Sequence, residues 1–351
     1  MSETAAIRKG EDIDSEKLAG YLRGRLPTPF EQIEIRQFPA GSSNLTYLIK
    51  LGTSEYVLRR PPLGNTVATA HDMNREYNVL QRLAIVYPPA PEPLLFCEDE
   101  SIIGSEFYLM ERRQGLIIRG KAPVALGQSV DLQQKVCRAF ITNLAKLHSL
   151  DPKFAGLGDL GKPEGYCRRQ VEGWTKRYFA AKTHELPELE KTIAWLNGNI
   201  PAETGTAIVH NDYKFDNIML DPADLTRITA LLDWEMVTVG DPLMDLGTTL
   251  GYWMSPEAGD EMLNMPFNPR ILMENITRQQ LADMYAEATD RDVSNILFYY
   301  VFGTFKIAVI AQQIYARYAK GFTTDVRFAN FDRSVAALGI IATRAVNAGS
   351  I

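Results

Sequence analysis

The chain has 351 residues, of which 46% are hydrophobic and 23% charged, and its formal net charge is −6. This is the make-up of a globular protein with room for two domains or lobes, and the acidic balance speaks against nucleic acid as a main partner, which would demand a basic excess. Cys97, Cys137 and Cys167 form no C-x-x-C pair and the four histidines are scattered, which speaks against a disulfide framework or a zinc site and for a reducing, cytoplasmic setting.

The N-terminal MSETAAIRKGEDID is polar and carries no apolar stretch, so it does not read as a signal peptide. Asp14 is placed to cap a short amphipathic helix with Leu18, Tyr21, Leu22 and Leu26 at helical spacing. Strand patterns follow in EQIEIRQF, LTYLIK and EYVLRR, where apolar residues alternate and Gly41 and Gly52 sit at the intervening turns. Residues 71–84 are predicted as one helix, with Glu76, Leu80 and Leu83 sharing a face. The proline-rich YPPAPEP is a loop, and LLFCED and EFYLMER read as two further strands.

After about residue 112 long amphipathic patterns dominate. DLQQKVCRAFITNLAKLHSL repeats Leu132, Val136, Phe140, Leu144 and Leu147, and further helices are predicted near 163–182, 187–198, 241–252, 278–288, 292–318 and 327–346. Short strand-like stretches, TAIVH, NIMLD and TALLD, lie among them. The most apolar run, ILFYYVFGTFKIAVIA at 296–311, is interrupted by Lys306 and falls short of the ~20 residues of a bilayer span, so it reads as a buried core helix with no membrane role. Strands first and helices later predict an α+β chain: a small mixed N-terminal β-sheet lobe with one main helix, then a larger, mostly helical C-terminal lobe.

The chemistry-bearing segment is IVHNDYKFDNIML, residues 208–220. Two apolar runs flank a polar loop with His210, then Asp212 two residues on, then Asn217 five residues further. A phosphoryl-transfer enzyme of the kinase class needs this arrangement: the Asp accepts the proton of the attacking hydroxyl and the Asn oxygen binds magnesium. A second carboxylate must serve the metal, and Asp233, at the end of the apolar run in TALLDWE, suits that role. The competing reading is that His210 and Asp212 cap a turn between strands.

HNDYKFDNIMLD and LLDWEMVTVGDPLMDLG resemble the catalytic core of the aminoglycoside phosphotransferase and choline kinase superfamily, and LAKLHSLDP at 144–152 is similar to it as well. The resemblance runs over roughly 30–345 and implies a protein-kinase-like fold, with a nucleotide-binding lobe at 1–112 and a helical lobe at 113–351 holding the catalytic loop and the acceptor site. It implies Asp212 as base, Asn217 and Asp233 as metal ligands, and His210 as a brace for the loop. Lys214 would neutralise the transferring phosphoryl group or simply be solvated. Asp241 and Asp245 would stabilise the loop and the helix start, or act only as helix caps. Gly41, Ser42, Ser43 and Asn44 would form the phosphate-covering turn, if it is more than a hairpin turn. Arg59 stands where the family usually has lysine, with Arg60 as the neighbouring alternative and Glu76 as ion-pair partner. Backbone groups at Met110 and Arg112 would read the adenine edge. The cofactors implied are ATP, with GTP also compatible, and Mg2+.

The acceptor implied is a small molecule. YCRRQVEGWTKRYF carries Arg168, Arg169, Lys176 and Arg177, a basic face that would favour an anionic acceptor or be merely solvated. GLGDLGKPEGYCRRQVEGWTKRY resembles the branch whose kinase-like domain accompanies acyl-CoA dehydrogenases. That branch implies a hydroxyl on an acyl-CoA-type substrate and a separate acyl-CoA dehydrogenase partner. Trp234, Tyr252 and Trp253 would line the acceptor pocket or be core aromatics. The competing function is a catalytically weak, kinase-like protein that binds nucleotide or acyl-CoA, motivated by Arg59. A protein kinase fits less well, because GDPLMDLG stands where an A-P-E-type segment would be.

Overall fold

The computed structural model describes residues 3–27, 29–39, 44–62, 72–119, 122–254, 262, 270–323 and 325–351. They form two compact units, one of residues Met1–Gln114 with Thr229–Glu235 and one of Gly115–Ile228 with Met236–Ile351.

The smaller unit is built on five strands, β1 (Ile33–Gln37), β2 (Leu45–Leu51), β3 (Ser54–Arg60), β4 (Pro93–Cys97) and β5 (Phe107–Glu111), in the order β1-β2-β3-β5-β4. Every pair is antiparallel, where a mixed sheet was expected. Gly52, at φ 60°, makes the tight link from β2 to β3 that sets their register, Leu51 facing Ser54. Alternation in β2 puts Leu45, Tyr47, Ile49 and Leu51 inside. Helix α1 (Ser15–Leu22), capped by the Asp14 carboxylate on the amides of Glu16 and Lys17, buries Leu18 and Leu22 in the same cluster as Tyr47, Ile49, Leu58 and Phe107. Helix α2 (Met73–Val86) is capped by Asp72 and carries Tyr77 against Phe96 and Tyr108, at ring-centroid distances of 5.6 and 6.2 Å. Residues 229–235 belong here despite their position in the chain: the Leu231 amide bonds the Pro89 carbonyl at 2.8 Å, and Trp234 packs edge-on against Tyr87.

The larger unit is helical, with α3 (Val124–Gln128), α4 (Val130–His148), α5 (Tyr166–Ala181), α6 (Pro187–Gly198), α7 (Pro242–Tyr252), α8 (Arg270–Met273), α9 (Arg278–Thr289), α10 (Ile296–Ala319) and α11 (Phe331–Ala348). Two short strands, β6 (Ala207–Val209) and the unforeseen Thr238–Gly240, pair antiparallel and carry the chain into and away from the 210–217 loop. Helix α10 is long and apolar enough to cross a membrane, but 78% of its apolar window is buried within the protein. Its partner is α7. A Cβ on Gly303 would lie 2.1 Å from the Gly247 carbonyl oxygen, and one on Gly247 2.1 Å from that of Tyr299, so the two backbones touch where they cross. All eleven residues of α7 are buried as a result.

Candidate active site

In the larger unit the segment after β6 folds inward on alternate residues. Tyr213 and Phe215 are fully buried against α4, Phe140 lying 4.6 and 4.2 Å from their rings, while the Tyr213 hydroxyl donates to the Phe140 carbonyl at 2.7 Å. That alternation turns Asp212 and Lys214 to a common side. Asn211 takes a left-handed backbone, φ 67°, which Asn tolerates better than most residues. The bend is held by Asp245 of α7: its buried carboxylate accepts the amides of His210 at 2.6 Å and Asn211 at 2.7 Å, and meets His148 Nε2 at 3.1 Å. Burial pushes the Asp245 carboxyl up, but the His148 bond and the nearby charges outweigh it and hold it below the usual carboxylate range. Asp241 caps α7 on the Leu243 amide and also accepts from Thr204, so its work lies at the helix start.

Asp212 is the centre of this loop. Its Oδ2 accepts from Lys214 Nζ at 2.7 Å and Asn217 Nδ2 at 3.0 Å, and its Oδ1 from the Tyr252 hydroxyl at 2.6 Å. Burial would raise its carboxyl, but the Lys214 ammonium and the Lys214 and Tyr252 bonds prevail and keep it below the usual range. Burial and the Asp212 charge push the Tyr252 phenol well above its usual range, so it stays a donor. Asn217 also donates to the Asp212 carbonyl at 2.9 Å; with Nδ2 so committed, Oδ1 is the atom that can meet a cation. His210 is buried and its Nδ1 faces the Asp212 amide at 3.3 Å.

The smaller unit holds a second cluster. Arg59 Nη2 lies 3.1 Å from Asp233 Oδ1, its Nε 3.6 Å from Glu76 Oε1, and Nη2 3.9 Å from Glu235 Oε2. Asn44 Nδ2 donates to Glu235 at 3.0 Å. Burial works against the Arg59 charge, yet Glu76, Asp233 and Glu235 hold it protonated; burial also raises the Glu76 carboxyl, and Arg59 pulls it back only in part. Asp233 has φ 67°, an uncommon conformation for a non-glycine residue, at the end of the strand Ile228–Leu231. Arg60 turns the other way, fully buried, donating to the Tyr47 hydroxyl and to the carbonyls of Glu11 and Ile103.

Thus His210, Asp212, Lys214 and Asn217 come together in one unit, and Asn44, Arg59, Glu76 and Asp233 in the other. Ser42 and Ser43 lie outside the described residues. Met110 sits mid-sheet, paired with Val57 and Pro93, and Arg112 bonds Glu3 and the Arg113 carbonyl, so neither joins the acidic cluster. Trp234 and Trp253 are core residues, each indole bonded to a carbonyl, of Leu231 and Ile276. Sequence reasoning missed Glu235, whose only signal was its place two residues after Asp233. It also left the role of Tyr252 open and read Lys306 only as an interruption. Among the described residues no three His, Cys, Asp or Glu side chains form a ready cation site.

Acyl-CoA dehydrogenase family member 11 of Gallus gallus is 35% identical over 326 residues, a match covering 91% of this chain and 41% of the relative, so the chain spans less than half the length of that protein. The crystal structure of a Ralstonia eutropha protein assigned to the aminoglycoside phosphotransferases superimposes with TM-score 0.77 at 30% identity, covering 95% of this chain and 99% of the other. An aminoglycoside phosphotransferase, APH(4)-Ia, in a ternary complex with AMP-PNP and hygromycin B, shares the fold at TM-score 0.61 and 15% identity, covering 93% and 97%. The sequence signature of the phosphotransferase enzyme family matches residues 34–270, from the first strand past α7, and the chain belongs to that family.

Proposed function

We propose that this chain is a small-molecule kinase that moves the γ-phosphoryl group of ATP to an alcohol, with Asp212 as general base. The observation that carries the proposal is the Asp212 carboxylate, bonded by Tyr252 on one oxygen and by Lys214 and Asn217 on the other. Its low proton affinity is no obstacle, because a loose transition state asks the base to orient the hydroxyl and accept its proton late. Lys214 would balance charge on the transferring group, and the buried Asp245 would keep the loop from relaxing.

Asn217 and Asp233 are the residues that would hold magnesium. Both offer hard oxygen, and Asp233 keeps a third of its side chain exposed. Magnesium binds through one or two carboxylates and the phosphates of a nucleotide, whose charge it would offset here. Arg59, steadied by Glu76, would grip phosphate oxygens with its forked donors. The AMP-PNP held by a protein of the same fold supports ATP as donor. The relative named for acyl-CoA dehydrogenase supports a hydroxyacyl-CoA-type acceptor and a dehydrogenase partner.

A phosphorylation screen of a metabolite pool with mass readout, followed by Asp212→Ala on the substrate found, tests the reading. Turnover should fall at least ~10²-fold with folding intact; wild-type turnover in the variant would remove Asp212 as the base. A catalytically weak binding protein is the second reading, favoured by the tight Arg59–Asp233 pair where the family usually has lysine. Magnesium-dependent ATP hydrolysis that disappears in Asp233→Ala speaks for the enzyme; ATP binding without any turnover speaks for the binder.

A further inference from the structure

Within the larger unit α5, the loop at Asn211 and Lys306 of α10 line a cavity of about 350 Å³ that is open to solvent, a ligand-sized space. Its wall includes Arg169, Arg177 and Lys306, together with Trp174, Tyr166 and Asn211, and no carboxylate lines it among the described residues. Arg169 and Arg177 are exposed and Lys306 is buried, so positive charge runs from solvent into the interior. The Trp174 ring has a cation near it twice, Arg177 Cζ at 4.7 Å and Lys306 Nζ at 5.6 Å. Arg177 makes no ion pair among the described residues, and Arg169 is held by the carbonyls of Lys162 and Glu164 rather than by an acid. Three like charges line one small space and repel each other; Asp245 and Asp212 offset Lys306 only from outside the lining, and an anion within the space is what relieves them. A polycationic acceptor would meet the opposite of what it needs.

The cavity is also wired to the loop. Lys306 Nζ donates to the Asn211 main-chain carbonyl at 2.6 Å, and the Asn211 side-chain Nδ2 donates to the Tyr166 hydroxyl at 3.3 Å and the Met236 carbonyl at 3.1 Å. Asn211 precedes Asp212 directly. Burial pushes Lys306 down to about 8, with Arg177 and Lys214 adding to the effect and Asp245 and Asp212 opposing it, so its charge is felt on both sides.

We propose that this cavity is the subsite for an anionic group of the acceptor, a carboxylate or a phosphate, and that Lys306 ties its occupancy to the backbone beside Asp212. The word acceptor rests on the kinase reading; the anion site does not. Trp174 supplies the reporter. The full-length chain, free of nucleotide and magnesium, is titrated with glutarate and with inorganic phosphate while tryptophan fluorescence is followed, with spermidine as the cationic control. At least one anion should give a saturable change that Trp174→Phe abolishes. Arg177→Ala and Lys306→Met should each weaken it at least ~10-fold, as loss of a charged hydrogen-bond donor does. Should Lys306→Met not fold by circular dichroism, Lys306→Arg, which keeps the charge, should retain anion binding. The tighter of the two probes assigns the group. No saturable change with either anion, undiminished affinity in Arg177→Ala, or tighter binding of spermidine overturns the proposal. A chain that binds the anion but phosphorylates nothing keeps the subsite and loses the kinase; an active kinase blind to both anions loses only the subsite.

Discussion

Replacing Asp245 by asparagine keeps the shape of the side chain and removes its charge at a point with no access to water. The carboxylate accepts two backbone amides, at 2.6 and 2.7 Å, and pairs with His148. Asparagine has one acceptor oxygen, so its NH₂ must face one of those N–H groups or the ring. One charge-assisted bond is lost, about 1.5–3 kcal/mol, and a buried N–H is left unsatisfied, about 1–3 kcal/mol. The expected destabilisation is therefore about 2.5–6 kcal/mol, a large share of the roughly 5–15 kcal/mol that holds a typical protein folded. Urea unfolding at pH 7 measures it, and hydrogen exchange of segment 207–214 shows where it acts. The sign of the pH dependence is fixed as well. The folded carboxyl is depressed, so its contribution is complete above the ordinary aspartate value of about 3.9 and is lost as pH falls through its lower folded value. The gap between wild type and Asp245→Asn should thus be flat from pH 5 to 8. A loss under about 1 kcal/mol with unchanged exchange at His210 and Asn211, or a gap that widens steadily across that range, would refute the pinning argument.

Tyr252→Phe removes one of the donors to Asp212 and leaves the fold alone; a fall in kcat of roughly 10-fold or more is expected once a substrate is in hand, and an unchanged kcat would mean the bond is incidental. Gly303→Ala forces a methyl group against the Gly247 carbonyl, where neither backbone can yield, and should cost about 1–3 kcal/mol or more in urea unfolding, whereas a neutral result would mean that α7 and α10 separate easily. Lys306 should write its own signature on alkaline stability. Its folded value of about 8 lies below that of the unfolded chain, so the unfolded state binds more protons between about 8 and 10.4 and stability rises with pH there, by on the order of 3 kcal/mol. A difference curve between wild type and Lys306→Met isolates this rise from the tyrosines, and a flat curve would show that the ammonium is not desolvated.

What the sequence disclosed, and what it hid, follows from the reach of each interaction. Leu132, Val136, Phe140, Leu144 and Leu147 announce α4 because helix periodicity is local, and the helix runs Val130–His148. The spacing from His210 to Asn217 is equally local, one loop between two short strands, so its residues could be named together from the chain alone. The Tyr252–Asp212 bond joins residues 40 apart and the Lys306–Asn211 bond residues 95 apart, and no spacing rule encodes either. Lys306 is the instructive case. In an apolar helix a lysine looks like an interruption; in the fold it is the donor that meets a loop carbonyl and faces a tryptophan. The strand Thr238–Gly240 went unseen because three residues carry no measurable alternation and its existence depends on the partner strand β6.

The two clusters share one electrostatic device. Asp212 has Lys214 at 2.7 Å and Asp233 has Arg59 at 3.1 Å, each cation supplied from within the same unit. A carboxylate that is to meet a cation or a hydroxyl has to stay ionised, and burial works against that: it raises the Glu76 carboxyl, which Arg59 pulls back only in part. A resident cation opposes that penalty at a cost: the incoming ligand must compete with it. The competition is mild where the counter-charge can turn to the ligand itself, because a lysine or arginine released from a carboxylate is at once available to a phosphate. Arginine suits that exchange better than lysine, since its fork can keep one edge on Glu76 while the other leaves Asp233. On this argument arginine at position 59 is compatible with phosphoryl transfer, and the pair that motivates the binding-protein reading is equally the resting state of an enzyme.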